Sequence, residues 1–303
     1  MLVVGSSNVD TTIYLDRFAS PGETVQARGK RISCGGKGAN QAVAAARGGA
    51  ETSFITALGD DAEGRMLEER LAGEEMSLSI VRKRADTGQA FIEVDGRSEN
   101  RIAVIGGANL MLSPEDAEAM SDRIAGCAVL VLQNEIPPET NAAAMRIASE
   151  NGAATVYNPA PSRPVEKSVI RMSDCLVLNG SEFQYLSGTN DVEAGCSSLL
   201  SAGAGAVVVT LGKDGCFYSD GIRSGRVPAP KVDALDASGA GDTFVGYLAA
   251  GLSRRSSLEE SVRTAVRAAS LSCSRRGAMD GIPRIAELDR AWIDATRAVS
   301  WRR

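Results

Sequence analysis

Asp236-Ala237-Ser238-Gly239-Ala240-Gly241-Asp242-Thr243-Phe244 is a run of small residues that opens directly onto a long apolar segment, Phe244 to Leu252. Small residues permit a tight turn whose backbone N–H groups converge, and such a turn at the start of a helix forms a cradle for an anion. The spacing puts Asp242 in the first helical turn, where the helix dipole favours its ionised carboxylate by ~0.3–1 kcal/mol at an exposed site. A carboxylate base beside an anion cradle suits phosphoryl transfer. The same spelling also fits a plain turn and helix cap, so the rest of the chain has to decide between them.

Composition narrows the choice. The chain has 303 residues, 44% of them hydrophobic, which is ample for a large α/β core. A formal net charge of −5 and the lack of basic runs leave no electrostatic footprint for nucleic acid or for a membrane surface. No stretch of 18 consecutive apolar residues occurs, and Met1 to Gly5 does not read as a signal peptide. The cysteines at 34, 127, 175, 196, 216 and 273 are scattered without a Cys-x-x-Cys pair, which predicts reduced thiols and a cytoplasmic enzyme. Histidine is absent, so Ser-His-Asp hydrolysis, histidine metal sites and histidine acid–base chemistry are excluded. A general base in this chain has to be sought among the carboxylates.

From the N-terminus, Leu2 to Gly5 reads as a buried strand whose tip carries Ser6, Ser7, Asn8 and Asp10. Ile13 to Leu15 and Val25 to Ile32, separated by a Pro21-Gly22 turn, read as half-polar strands. Cys34-Gly35-Gly36-Lys37-Gly38-Ala39-Asn40-Gln41-Ala42 is a second glycine turn leading into an alanine-rich helix, without the spacing of a Walker A loop. Thr52 to Leu58 predicts a strand and Ala62 to Ala72 a helix, followed by a second half-polar pair, Gln89 to Val94 and Arg101 to Ile105. The two half-polar pairs are expected to form one small β-sheet lid, from segments 11–34 and 88–105.

Beyond Ser113 the chain alternates: helix Asp116 to Ile124, strand Val129 to Leu132, helix Thr140 to Glu150, strand Thr155 to Tyr157. Core strands end in polar tips: Gln133-Asn134-Glu135, Asn158-Pro159-Ala160-Pro161, Asn179-Gly180-Ser181-Glu182 and Thr210-Leu211-Gly212. This repetition predicts an α/β fold, a mostly parallel central sheet flanked by helices in three layers, with the ligand site along the carboxyl edge. Without internal repeat or linker, residues 1–303 read as one domain with a lid.

Asn8-Val9-Asp10, Gly35 to Ala42, Asn158 to Pro161, Thr210 to Gly212 and Gly239 to Phe244 together resemble, in the same order and nearly end to end, the ribokinase-like carbohydrate kinases. The resemblance implies ATP-dependent phosphorylation of a sugar hydroxyl, with the 5-hydroxyl of D-ribose the nearest match. It implies that Asp242 is the base and that the N–H groups of Gly239, Ala240 and Gly241 form the anion hole. Asn8, Asp10, Gly36, Lys37, Asn40 and Glu135 would contact the sugar. Asn179, Thr210 and Gly212 would lie along ATP, and Glu182 would help hold Mg²⁺ through water. A monovalent cation, K⁺, would be held as an activator by backbone oxygens near Asp236 and Ser238 and by the loop from Cys273 to Gly281. In that loop this chain carries Met279-Asp280-Gly281 where a serine-containing segment is common, and it carries Asn134 where an apolar residue is frequent. The resemblance further implies a homodimer formed through the lids, with sugar and ATP as small-molecule partners.

Other readings remain open at this level. A kinase of another pentose, a ketohexose or a nucleoside shares the same motifs. A non-catalytic sugar-binding protein would be expected to have lost Asp242 or its glycine turn. A dinucleotide-dependent oxidoreductase would need Gly-x-Gly-x-x-Gly after an early strand, whereas Gly239-x-Gly241 comes late and is followed by Phe244.

Overall fold

The computed structural model describes residues 1–97 and 99–288. Strand β1 (Leu2–Val4) is buried on both faces and runs into β2 (Asn8–Tyr14) of a second sheet. Strand β3 (Gly29–Gly35) returns beside β2 and delivers the chain to α1 (Lys37–Arg47). Strand β4 (Ser53–Leu58), α2 (Ala62–Ala72) and β5 (Ser77–Arg82) extend one edge of the large sheet, and β6 (Gly88–Val94) with β7 (Asn100–Ile105) completes the small one. Helices α3 (Pro114–Ala119) and α4 (Ser121–Ala125) precede β8 (Val129–Gln133), α5 (Pro138–Glu150), β9 (Ala154–Asn158) and α6 (Lys167–Arg171). Then come β10 (Cys175–Asn179), α7 (Gly180–Ser187), α8 (Val192–Ser201) and β11 (Val207–Thr210). A hairpin of β12 (Cys216–Ser219) and β13 (Ser224–Val227) closes the far edge before α9 (Ala240–Ser253) and α10 (Leu258–Cys273).

The large sheet has the order β13-β12-β11-β10-β9-β8-β1-β4-β5, parallel from β11 to β5, with the hairpin antiparallel. Side chains alternate along a strand, and in this sheet both faces are apolar. Val3, Val131, Val177 and Val208 pack with residues of α1, α9 and α10, while Leu2, Leu130, Leu176 and Val207 pack with residues of α5, α7 and α8. This is the expected three-layer α/β arrangement. The registers Gln133↔Asn158 and Asn179↔Thr210 align the polar tips at the carboxyl edge, where α7 also begins.

The small sheet has the order β3-β2-β6-β7. Its strands span 8–14, 29–35, 88–94 and 100–105, so it begins three residues earlier and ends one residue later than segment 11–34.

Three local expectations are corrected. Asn8 and Asp10 are not at a loop tip after β1; they lie within β2, on the small sheet. The strand expected over Val25 to Ile32 pairs only from Gly29, where the register Tyr14↔Gly29 begins. The single helix expected over Asp116 to Ile124 is two, because Met120 leaves helical geometry at φ −109° and ψ 18°, while Ser113 and Asp116 close a capping box on the first. Strand β5, the β12–β13 hairpin, α8 and α10 were not anticipated. No helix among the described residues is long and apolar enough to cross a membrane.

Candidate active site

Helices α1 and α9 cross closely because Gly246 faces α1: a Cβ there would stand 2.5 Å from both the Gln41 carbonyl oxygen and the Ala44 Cβ. The crossing brings the first turns of both helices together around Asp242. Asp242 is buried, and its carboxylate accepts hydrogen bonds from Asn40 Nδ2 at 3.0 Å and Gln41 Nε2 at 3.1 Å. Gln41 Nε2 also lies 3.1 Å from Asn158 Oδ1, and Asn158 donates to the Val177 carbonyl at 2.8 Å, tying the Asp242 carboxylate to the sheet edge. Neutral amides orient this carboxylate, with no direct ion pair to it among the described residues. Lys37 supplies the nearby positive charge: the Asp242 carboxylate, above all, holds its ammonium protonated against the effect of burial, with Glu135 and Glu182 adding to it.

The two glycine turns meet the Asp242 carboxylate from either side. Gly239 is the N-cap of α9 at φ +70°, and a Cβ there would collide with Ala278 Cα at 2.8 Å. Gly239 and Gly241 line the cavity in front of Asp242. The Ala240 N–H donates to the Ala237 carbonyl at 3.2 Å within the turn. Gly36, at φ +91°, begins α1, and a Cβ there would meet Asn8 N at 2.8 Å, so only glycine lets the turn pass against β2. Glu135 braces this turn: its Oε2 accepts from Lys37 N at 3.0 Å and from Ser6 Oγ at 2.5 Å.

Asn8 is buried, with Oδ1 accepting from Asn109 Nδ2 at 2.8 Å. Asn109 also accepts from Ser7 N at 2.9 Å, pinning the point where the chain passes between the sheets. Asp10 stands over Gly35, and its carboxyl is pushed up to about 7, first by burial and then by the charges of Glu135 and Asp242.

A cavity of about 200 Å³ joins Lys37, Asp242, Gly239 and Gly241 to Asn179, Glu182 and Thr210. Asn8, Asp10, Gly36, Asn40 and Glu135 are not in its lining; Glu135 reaches it through the Lys37 backbone and Asn40 through Asp242. Asn179 and Glu182 form a capping box on α7, each accepting the other's backbone N–H at 2.9 Å, and Asn179 Nδ2 also donates to Glu182 Oε1 at 2.8 Å. Burial pushes the Glu182 carboxyl up, against the opposing pull of Asn179 and Lys37. Thr210 ends β11 and donates to the Leu178 carbonyl at 3.4 Å; Gly212, at φ +58°, opens the next turn outside the cavity lining.

Asp236 and Ser238 also lie outside that lining. Asp236 Oδ1 accepts from Ser238 N at 2.9 Å and Oδ2 from Gly277 N at 2.8 Å. Burial would raise this carboxyl, but those N–H groups and the Arg31 charge hold it below the usual carboxylate range. Among the described residues no group of three or more His, Cys, Asp or Glu side chains is arranged to hold a metal directly. Asn134 is buried and occupied elsewhere, donating to the Pro161 carbonyl at 3.1 Å and accepting from the Tyr157 hydroxyl.

Ser6, Gln41 and Asn109 were missed as site residues. Gln41 had a local signal, directly following Asn40 at the start of a helix. Ser6 and Asn109 act across long separations, which no local spacing discloses.

Nearly the whole chain has counterparts among known proteins. Residues 1–285 match the family model described as pfkB family carbohydrate kinase. The chain is 36% identical over 298 residues to a ribokinase of Staphylococcus aureus, covering 95% of this chain and 98% of that one. It is 34% identical over 295 residues to a deoxyribokinase of Salmonella typhi, covering 95% and 96%. Among solved structures, an Arabidopsis thaliana ribokinase complexed with ribose and ATP superposes with a TM-score of 0.88 at 27% identity, covering 95% of this chain and 97% of that one. A glycine turn, a buried carboxylate and a second sheet beside the carboxyl edge thus accompany a match over nearly the full sequence, and the chain belongs to the pfkB family of carbohydrate kinases.

Proposed function

We propose that this chain transfers the γ-phosphoryl group of ATP to the 5-hydroxyl of D-ribose, giving ribose 5-phosphate and ADP. The observation that carries the reading is the buried Asp242 carboxylate, fixed by Asn40 and Gln41 at the rim of a cavity lined by Gly239 and Gly241. As the sugar oxygen bonds to the γ-phosphorus, Asp242 takes the hydroxyl proton and the bond to the β-phosphate oxygen breaks. Charge that develops on the transferring group faces the Gly239-Ala240-Gly241 turn and Lys37.

Asn8, Asp10, Gly36, Lys37, Asn40 and Glu135 hold the sugar in this reading, and Asn179, Thr210 and Gly212 lie along the nucleotide. Mg²⁺, when bound, neutralises phosphate oxygens; Glu182 would hold it through water, which suits a carboxylate whose two oxygens are already engaged by Asn179. A K⁺ ion near Asp236 and Ser238 would be held by backbone oxygens there and in the loop from Cys273 to Gly281, with the Asp236 carboxylate bracing that loop through N–H bonds from Ser238 and Gly277. The small sheet acts as a lid that keeps water from the phosphoryl group, and two lids pair in a homodimer. The reaction belongs to the cytoplasm in this reading, in keeping with six unpaired cysteines.

The ribokinase and deoxyribokinase relatives support the pentose class, and the second of them favours 2-deoxyribose as the alternative acceptor. The test is ATP consumption with Mg²⁺ and K⁺ across ribose, 2-deoxyribose, arabinose, xylose, fructose, tagatose and nucleosides. The highest kcat/KM is expected with ribose. Preference for 2-deoxyribose would transfer the assignment to that sugar, and silence across the panel would overturn the kinase reading.

A further inference from the structure

Arg31 is the one residue of β3 whose side chain reaches a loop of the large body with a charged contact among those described. The registers Asn8↔Gly35, Asp10↔Ser33 and Thr12↔Arg31 put Arg31 on the same face of the small sheet as Asn8 and Asp10. From there its Nη2 donates to Asp280 Oδ2 at 3.0 Å. Its guanidinium also lies against Gly277, where a Cβ would stand 2.6 Å from Nη2, at a residue with φ +88°.

The loop that Arg31 touches is the one on which the glycine turn rests. Gly277 N donates to Asp236 Oδ2, Asp236 Oδ1 accepts from Ser238 N, and Gly239 packs on Ala278 so tightly that a Cβ would meet its Cα at 2.8 Å. The body holds the same loop from behind: Arg47 donates to the Met279 and Ile282 carbonyls at 3.1 and 2.7 Å, and Arg70 stands 3.5 Å from Asp280. Arg31 is the hold that comes from the second sheet.

We propose that Arg31 is a positioning residue for phosphoryl transfer, which couples the placement of the small sheet over the sugar to the placement of the Gly239–Gly241 turn through Asp280 and Gly277. The proposal rests on the kinase reading above. When the sheet lies closed, the Arg31 guanidinium seats against Gly277 and Asp280, and the loop beneath Gly239 is held from both sides. When the sheet lifts, that hold is lost and the turn relaxes. The anion cradle is then fully ordered only over a covered sugar, which disfavours transfer of the phosphoryl group to water.

As a fold contact the pair is weak: both side chains are partly exposed, and such ion pairs contribute little to stability. Stability and catalysis should therefore separate. The experiment measures kcat, KM, ATP hydrolysis without sugar, and equilibrium sugar binding without nucleotide for wild type, Arg31→Ala, Arg31→Lys, Asp280→Ala and the Arg31→Ala/Asp280→Ala double variant. Each alanine variant should lose about tenfold in kcat, with sugar binding changed less than about threefold and melting temperature nearly unchanged. The double variant should be no worse than either single one, and Arg31→Lys should recover most of the loss. An active wild type with Arg31→Ala turnover within twofold of it, or additive losses in the double variant, would overturn the coupling alone. An inactive wild type would remove the kinase reading and the coupling with it.

Discussion

Asp10, proposed above to hold the sugar, is a residue whose charge opposes folding. It sits on β2 among carboxylates, and burial, then Glu135 and Asp242, push it from an ordinary 3.8 to about 7. Below about pH 4 the group is protonated in both folded and unfolded chains, and folding is not penalised. Between about 4 and about 7 the folded chain keeps a proton that the unfolded chain has released, so stability falls as pH rises through that window, by at most about 4 kcal/mol once it is passed. Asp10→Asn should therefore raise the melting temperature of the ligand-free protein at pH 8 and lose that advantage at pH 4, while weakening sugar binding. Calorimetry at the two pH values checks it; an equal difference at both would contradict a raised Asp10 pKa. At this scale the sequence was informative about residue type and silent about neighbours. Asn8, Lys37, Asn40 and Asp242 stood in motifs whose composition betrays polar chemistry. The Ser6–Glu135 bond joins residues 129 apart, and Asn109 bonds Ser7 across 102, so neither has a local signature.

Among the elements, α1 and α9 do the most to build the site. Their crossing depends on Gly246, which lets the Gln41 backbone approach. Alanine at 246 would gain roughly 1 kcal/mol of helix propensity, yet its methyl would enter space 2.5 Å from a backbone oxygen. Overpacking of this kind costs about 1–3 kcal/mol, so Gly246→Ala should be net destabilising in urea unfolding. Because Gln41 moves with the crossing, kcat should fall more than sugar affinity; a stabilised, fully active variant would show that the helices have slack. Helix α2 was legible to the residue, Ala62–Ala72, from its own amphipathic spacing, and the structure adds its cap, Asp61, which accepts from Gly64 N. The interruption at Met120 and the shortened β3 were not, because each is set by what the segment packs or pairs with. The β12–β13 hairpin was passed over although Asp220-Gly221 marks its turn, since strands of four residues give little periodicity to read.

At the level of the molecule, a small sheet stands beside the large one, and it leaves apolar side chains in solvent. Ile32 and Phe91 are both in register with Thr11 on one face, while Ile102 and Val104 lie on the other, at 58% and 55% exposure. A sheet this small with apolar groups outside invites a partner, and a second copy offers the same surface. Sedimentation velocity at micromolar concentration should show a particle of twice the chain's 31.6 kDa, and Ile102→Lys should shift it to monomer. A wild-type monomer would contradict the pairing of lids. The three-layer sheet was legible because each buried strand ended in a polar tip before the next helix, a pattern that only a parallel sheet with one functional edge explains economically. The assignment of Asn8 and Asp10 to the second sheet was not legible, since β1 and β2 are separated by only three residues and no turn signal marks the change of sheet.

The role of Asp242 as the base facing the Gly239–Gly241 turn underlies everything proposed for this site, and the turnover of Asp242→Asn tests it without intermediaries. The amide keeps the size of the side chain and removes its capacity to take a proton. With Asp242 as the base, kcat should fall by at least about a hundredfold, while sugar affinity measured without nucleotide stays within about threefold of wild type. Turnover close to that of the wild type would show that the proton goes elsewhere.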